Sequence, residues 1–167
     1  HLALANGLRL FLAGAADSAV VVFQRARAAD TTWSEPWMML AEVYLHMYPI
    51  GTTLDTLAER AIRRALALQP RFAPAVAHLL EFEVRRGDAA ASRALLDRLV
   101  AVGPDSQIIF QSELLVRCAL DGPDAVDWPA AVRRESGRVV DVARIIGGGD
   151  LYPDCSRRAL ASVLAYD

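Results

Sequence analysis

Between Trp37 and Pro70, apolar residues recur every three or four positions in two runs, separated by a stretch that carries Pro49 and Gly51. The first run places Trp37, Leu40, Ala41 and Tyr44 on one face of a helix, and the second does the same for Ala58, Ile62 and Ala65 before Pro70 closes it. This spacing is that of amphipathic helices. Small residues (Ala41, Ala58, Ala65) alternate with large ones (Trp37, Leu40, Ile62), which predicts that the two helices pack closely, each large side chain opposite a small one. The segment from His46 to Thr53 cannot continue a helix because of its Pro and Gly, so it reads as a loop inside the helix pair.

The same spacings return on both sides of this unit. Upstream, Ala19, Phe23 and Ala26 reproduce the second-helix run with Thr31 where the proline would stand, and Gly7 lies 34 residues before Ala41. Ala3 takes the place of the leading aromatic, so this copy is partial. Downstream, Ser92, Leu96, Leu99 and Pro104 follow Ala58, Ile62, Ala65 and Pro70 by 34 residues, preceded by Val76, Leu79 and Leu80 and a turn at Gly87-Asp88. Helices are predicted at Leu2–Ala13, Ala15–Ala29, Pro74–Arg86, Asp88–Val102, Ser106–Leu120, Trp128–Ser136 and Pro153–Tyr166. The Val and Ile content of Arg138–Ile146 would also suit a strand, but an array of helix pairs offers a lone strand no partner, so it too is assigned to helix. With the central pair this makes about ten helices in five pairs, and Gly147-Gly148-Gly149 breaks the chain before the last one.

The run Trp37, Leu40, Ala41, Tyr44 followed by Ala58, Ile62, Ala65, Pro70 resembles the tetratricopeptide repeat. That resemblance implies an all-α fold, a right-handed superhelix of antiparallel helix pairs. Repeat copies would span residues 1–33, 34–72 and 73–105, with divergent helical pairs at 106–137 and 138–167. It also implies a protein-interaction scaffold, because the first helices of such repeats line a concave groove that holds a peptide or partner domain. Carried onto this chain, the groove positions are Met38, Met39, Glu42 and His46 on one helix, His78, Glu81 and Arg85 on the next, and Gln111 beyond. Methionines suit adaptable contact with a partner and equally suit a core, and at this point both readings stand. The form of the repeat that clamps a terminal carboxylate uses Lys and Asn, whereas this chain has no Lys and a single Asn at position 6. A looser similarity connects the chain to helical repeat regions of bacterial serine/threonine kinases and transcriptional regulators, which implies, as the alternative function, a sensory or regulatory domain of a larger signalling protein.

Composition narrows the partners. The 167 residues are 54% hydrophobic and 23% charged, the make-up of an ordered domain, and a net charge of −2 gives no footprint for a nucleic-acid backbone. No apolar run is long enough to insert in a membrane. All 18 basic residues are Arg, a bias that a GC-rich coding sequence accounts for most simply. Because the chain begins at His1 and stops inside a predicted helix, it reads as a piece of a longer protein.

Three chemical constellations remain. Glu42 with His46 and His78 with Glu81 sit three or four residues apart, so each pair shares a helix face and the four side chains form a weak candidate metal site. Scattered solvated charges are the competing reading. Cys118 and Cys155 are the only cysteines and are candidates for a disulfide, with two buried thiols as the alternative; pairing would favour an extracytoplasmic location over a cytoplasmic one. Neither a phosphate-binding Gly-rich loop with Lys nor a Ser or Cys at suggestive spacing from His1, His46 or His78 is present, so no catalytic residue and no cofactor is expected.

Overall fold

The computed structural model of the chain describes residues 2–48, 53–103, 105–147 and 152–166. Among them are nine α-helices and no strand. They are α1 (Leu2–Leu12), α2 (Ala16–Ala29), α3 (Glu35–His46), α4 (Thr53–Leu68), α5 (Ala73–Arg86), α6 (Ala89–Val102), α7 (Ser106–Val116), α8 (Trp128–Gly147) and α9 (Pro153–Leu164). The expected loop insertion at 49–52, Pro104 and Gly148-Gly149 lie outside the described residues. None of the described helices is long and apolar enough to cross a membrane. The chain falls into two compact units, residues 1–75 and 76–167.

In the first unit α1 packs on α2, α2 on α3 and α3 on α4. The small and large residues of the sequence pattern form its core: Ala19, Phe23, Ala41, Ala58, Ile62 and Ala65 are fully buried, and Ala26 and Leu40 nearly so. Gly7 shows why the pattern needs small residues. A Cβ built on it would lie 2.3 Å from the Phe23 ring, closer than any real side-chain contact, so α1 approaches α2 only because position 7 has no side chain. Where α3 begins, Pro36 occupies the first turn, a position whose missing N–H breaks no helical bond. The buried Ser34 hydroxyl donates to Gln69 Oε1 at 2.7 Å, tying this end of α3 to the residue after α4. At the far end Tyr48 donates its phenolic hydrogen to Asp17, which links the end of α3 to the first turn of α2.

The second unit starts with the same local grammar and then departs from it. Gly87 turns the chain at φ 75°, and Asp88 caps α6 by accepting from the Ala91 N–H at 2.9 Å. Gly103, at φ 69°, ends α6 in the left-handed conformation that a Cβ disfavours, its N–H returning to the carbonyls of Leu99 and Val100. Asp105 caps α7 through the Gln107 N–H. The expected helix Ser106–Leu120 is α-helical only to Val116; from Arg117 to Asp121 it widens into a π-turn that carries the buried Cys118. A 3-10 turn, Pro123–Ala125, then leads to Trp128, whose indole N–H donates to the Pro123 carbonyl at 2.9 Å.

The two helices expected at Trp128–Ser136 and Arg138–Ile146 are the halves of α8, broken at Glu135, where φ −163° and ψ 83° leave the helical region. The stretch that could have been strand by composition is therefore helical, and counting α8 as one brings ten expected helices to nine among the described residues. α9 packs on α8. A single core joins Leu80, Val84, Phe110, Trp128, Val139 and Ile146, with Leu95 and Leu96 of α6 against its side. Cys118 and Cys155 are joined by a disulfide with their Cα atoms 5.8 Å apart, which fastens the first turn of α9 to the π-turn. Both sulfur-bearing residues are buried.

Two stability measurements check this account. Replacing a mid-helix Gly by Ala ordinarily stabilises by about 0.5–1 kcal/mol. At position 7 the overlap with a fully buried ring reverses the sign, so Gly7→Ala is expected to cost about 1–3 kcal/mol by denaturant titration. Reduction of the disulfide, which closes a 37-residue separation, is expected to remove about 3–4 kcal/mol, read as a lower melting temperature in the presence of reductant and as the same loss in Cys155→Ser.

Candidate functional site

A cleft of about 270 Å³ opens in the first unit where α2, α3 and α4 meet. α3 supplies Trp37, Leu40 and Tyr44, which share a face because they are three and four residues apart. α2 contributes Gln24 and Arg27, and α4 contributes Leu57, Arg60 and Ala61, again at helical spacing. One wall is thus aliphatic and aromatic while the rim carries two guanidinium groups.

The Arg27 guanidinium lies over the Trp37 ring, 4.5 Å from its centroid. This is a cation–π arrangement, in which a flat, weakly hydrated cation covers one face of the ring. Two donors of the stack are unsatisfied: Arg27 Nε and Trp37 Nε1 are buried with no hydrogen-bond partner among the described residues. A buried donor without an acceptor costs about 1–3 kcal/mol, so the site holds donor capacity in excess of what the fold itself uses. Arg60 is exposed and forms no ion pair among the described residues. Its neighbour Glu59 instead accepts from Arg63, at 2.7 Å, one turn further along α4. Tyr44 stands 6.4 Å from Tyr48, centroid to centroid, and the Asp17 carboxylate that accepts from Tyr48 pushes the Tyr48 hydroxyl up to about 12.

A second cleft of about 250 Å³ lies at the other side of α2, lined by Ala3, Ala26, Ala29, Asp30 and Trp33. Ala3 is the residue that replaces the aromatic of the repeat pattern, and the space is the room that a larger side chain would fill. Asp30 borders it, its carboxyl held below the usual range by hydrogen bonds from the Thr32 hydroxyl and N–H at 2.7 and 2.9 Å.

The positions read from the sequence as a groove fare unevenly. Met38 is a core residue, 4% exposed, so the face next to the signature face is covered at this position. Met39 is half-buried. Within the first unit Glu42 and His46 come together, Oε2 to Nε2, at 3.1 Å. Within the second unit His78 and Glu81 pair at 3.2 Å. Arg85 stacks over Phe82 at 4.6 Å with its Nε buried and unpartnered, and Gln111 accepts from Arg138 at 3.2 Å. Of the four weak metal candidates, each helix therefore brings together one Glu–His pair. Arg27, Arg60 and Gln24 were not read as site residues. Their signal in the sequence is faint: polar residues at i and i+3 on the helices either side of an aromatic pair. Compared with known proteins, the chain matches no family model and no curated protein.

The Tyr48 contact has a pH signature. A phenol whose folded value is raised contributes stability below pH 10 and loses it as pH climbs from its ordinary 10.0 toward about 12. Asp17→Asn is expected to bring the Tyr48 titration, followed by its ring resonances, back toward 10 and to flatten the alkaline loss of stability.

Proposed function

We propose that this chain is a protein-interaction module of the tetratricopeptide type, which takes a peptide or a partner domain and performs no chemistry on it. The cleft between α2, α3 and α4 supports this reading most directly, because it offers an aliphatic and aromatic wall, two arginines and buried unpaired donors. Those groups recognise; none is a nucleophile paired with a base or a carboxylate poised for proton transfer. The buried register of small and large residues in α1 to α4 supports the repeat resemblance from the packing side. Recognition is assigned to this cleft in preference to the Met38 face, whose leading residue is in the core.

Selection from a library of random peptides displayed on phage, against the folded chain, tests the reading. Enriched peptides are expected to shift the amide resonances of Arg27, Leu40 and Arg60, and to lose binding by at least tenfold against Trp37→Ala. Enrichment of no sequence above an unfolded control, or binding unaffected by Trp37→Ala, would reject it.

A further inference from the structure

We infer that the cleft of the first unit is a carboxylate site: it takes an acidic side chain of a partner segment, with a neighbouring apolar side chain against Leu40 and Leu57. The inference rests on the interaction reading and names the chemistry of its ligand.

Charge comes first. Arg27 and Arg60 both line one cleft of about 270 Å³, and among the described residues no acidic one lines it with them. Several nearby acids are engaged elsewhere: Glu59 with Arg63, Asp17 with Tyr48, Asp30 with Thr32, Glu35 with Ser34 and Glu42 with His46. Two cations with no protein counter-ion on the same cleft repel each other, and an entering anion relieves that repulsion.

Geometry then selects among anions. The Arg27 guanidinium lies over the Trp37 ring, 4.5 Å from its centroid, and its buried Nε has no acceptor among the described residues. A carboxylate can accept from two N–H donors of a guanidinium at once, the bidentate geometry for which Arg is suited. The unpaired Trp37 Nε1 donor belongs to the same stack.

Size and polarity set the rest. A space of about 270 Å³ lies below the range that buries a drug-sized ligand, so it holds a side chain or two of a larger partner. Leu40, Leu57 and Ala61 leave an apolar side to the cleft, and Leu57 is 39% exposed, an apolar surface that a neighbouring Leu or Phe of the partner would cover.

The test uses the full chain and two capped peptides, acetyl-Glu-Leu-amide and acetyl-Gln-Leu-amide, which differ only in the carboxylate, with inorganic phosphate as a third probe. The Trp37 indole N–H and Arg27 Nε–H resonances, the former assigned through Trp37→Phe, report occupancy. The Glu peptide is expected to shift both resonances, and the Gln peptide to bind at least tenfold more weakly. Arg27→Gln and Arg60→Gln should each weaken the Glu peptide about tenfold, the effect of one hydrogen bond to a charged group. Arg63→Gln, on the same helix but paired with Glu59, should stay within about twofold of the parent. If Arg27→Gln fails to fold, the exposed Arg60 still decides the matter. Equal shifts from the Gln peptide overturn the carboxylate and leave the interaction reading standing. No shift from the Glu peptide, shifts from phosphate without the Glu peptide, or unchanged affinity in both Arg27→Gln and Arg60→Gln also overturn it. Failure of the interaction reading itself would appear separately, as a library that enriches no peptide.

Discussion

Close approach of helices through small residues is the constraint on which the first unit depends. Gly7 lets the Phe23 ring fill the space between α1 and α2, and Ala19, Ala41, Ala58 and Ala65 provide comparable room elsewhere in the unit. Each small residue contributes little burial of its own. Its effect is to let a large neighbour such as Phe23 or Ile62 become fully buried, and the stabilisation belongs to that neighbour at about 1.5–3 kcal/mol per side chain. Where the pairing lacks its large partner, space opens: Ala3 stands in the aromatic position and lines a cleft of about 250 Å³.

The second unit reaches burial by another route. From α7 onward the alternation of small and large residues gives way to consecutive apolar residues, with Leu114, Leu115 and Val116 all buried. Three successive inward side chains require a helix covered on more than one side, and both α6 and α8 pack on α7. The π-turn after Val116 then places Cys118 in the core, where the bond to Cys155 holds α9. Trp128 spends its indole N–H on the Pro123 carbonyl, so a ring of that size is buried without an orphaned donor. Trp37 in the first unit is in the opposite condition, and the contrast sets a structural tryptophan apart from one that borders a site.

How much of this could be read from the chain itself follows from what periodicity encodes. Spacing specifies which residues share a face, so Ala58, Ile62 and Ala65, or Ala19, Phe23 and Ala26, were legible as core, and the structure buries them. Spacing does not specify how many faces are covered. Met38 was legible as either groove or core because its fate depends on α2 and α4 flanking α3 together, a fact of tertiary arrangement. Conversely Trp37, a signature residue expected to be packed away, is only half-buried and borders a cleft. The break at Glu135 falls within a residue or two of the boundary expected between helices Trp128–Ser136 and Arg138–Ile146, whereas the π-turn at 117–121 left no pattern that a run of apolar residues would betray.

The arginines are where a compositional reading and a physical one part company. A coding bias explains why every cation is Arg, but not where the guanidinium groups lie. Arg27 sits over Trp37, Arg85 over Phe82 and Arg134 over Phe110, all within 4.6 Å of a ring centroid. A flat, weakly hydrated cation covers an aromatic face at a smaller desolvation cost than a compact ammonium, and keeps its N–H donors in its own plane. In two of the three stacks, at Arg27 and Arg85, the Nε donor is buried without an acceptor among the described residues. Around Arg27 the stack borders a cleft that Arg60 also lines, with no acidic residue among the described residues of that lining. Composition supplies the residue type, and the position of one tryptophan places that residue at the cleft.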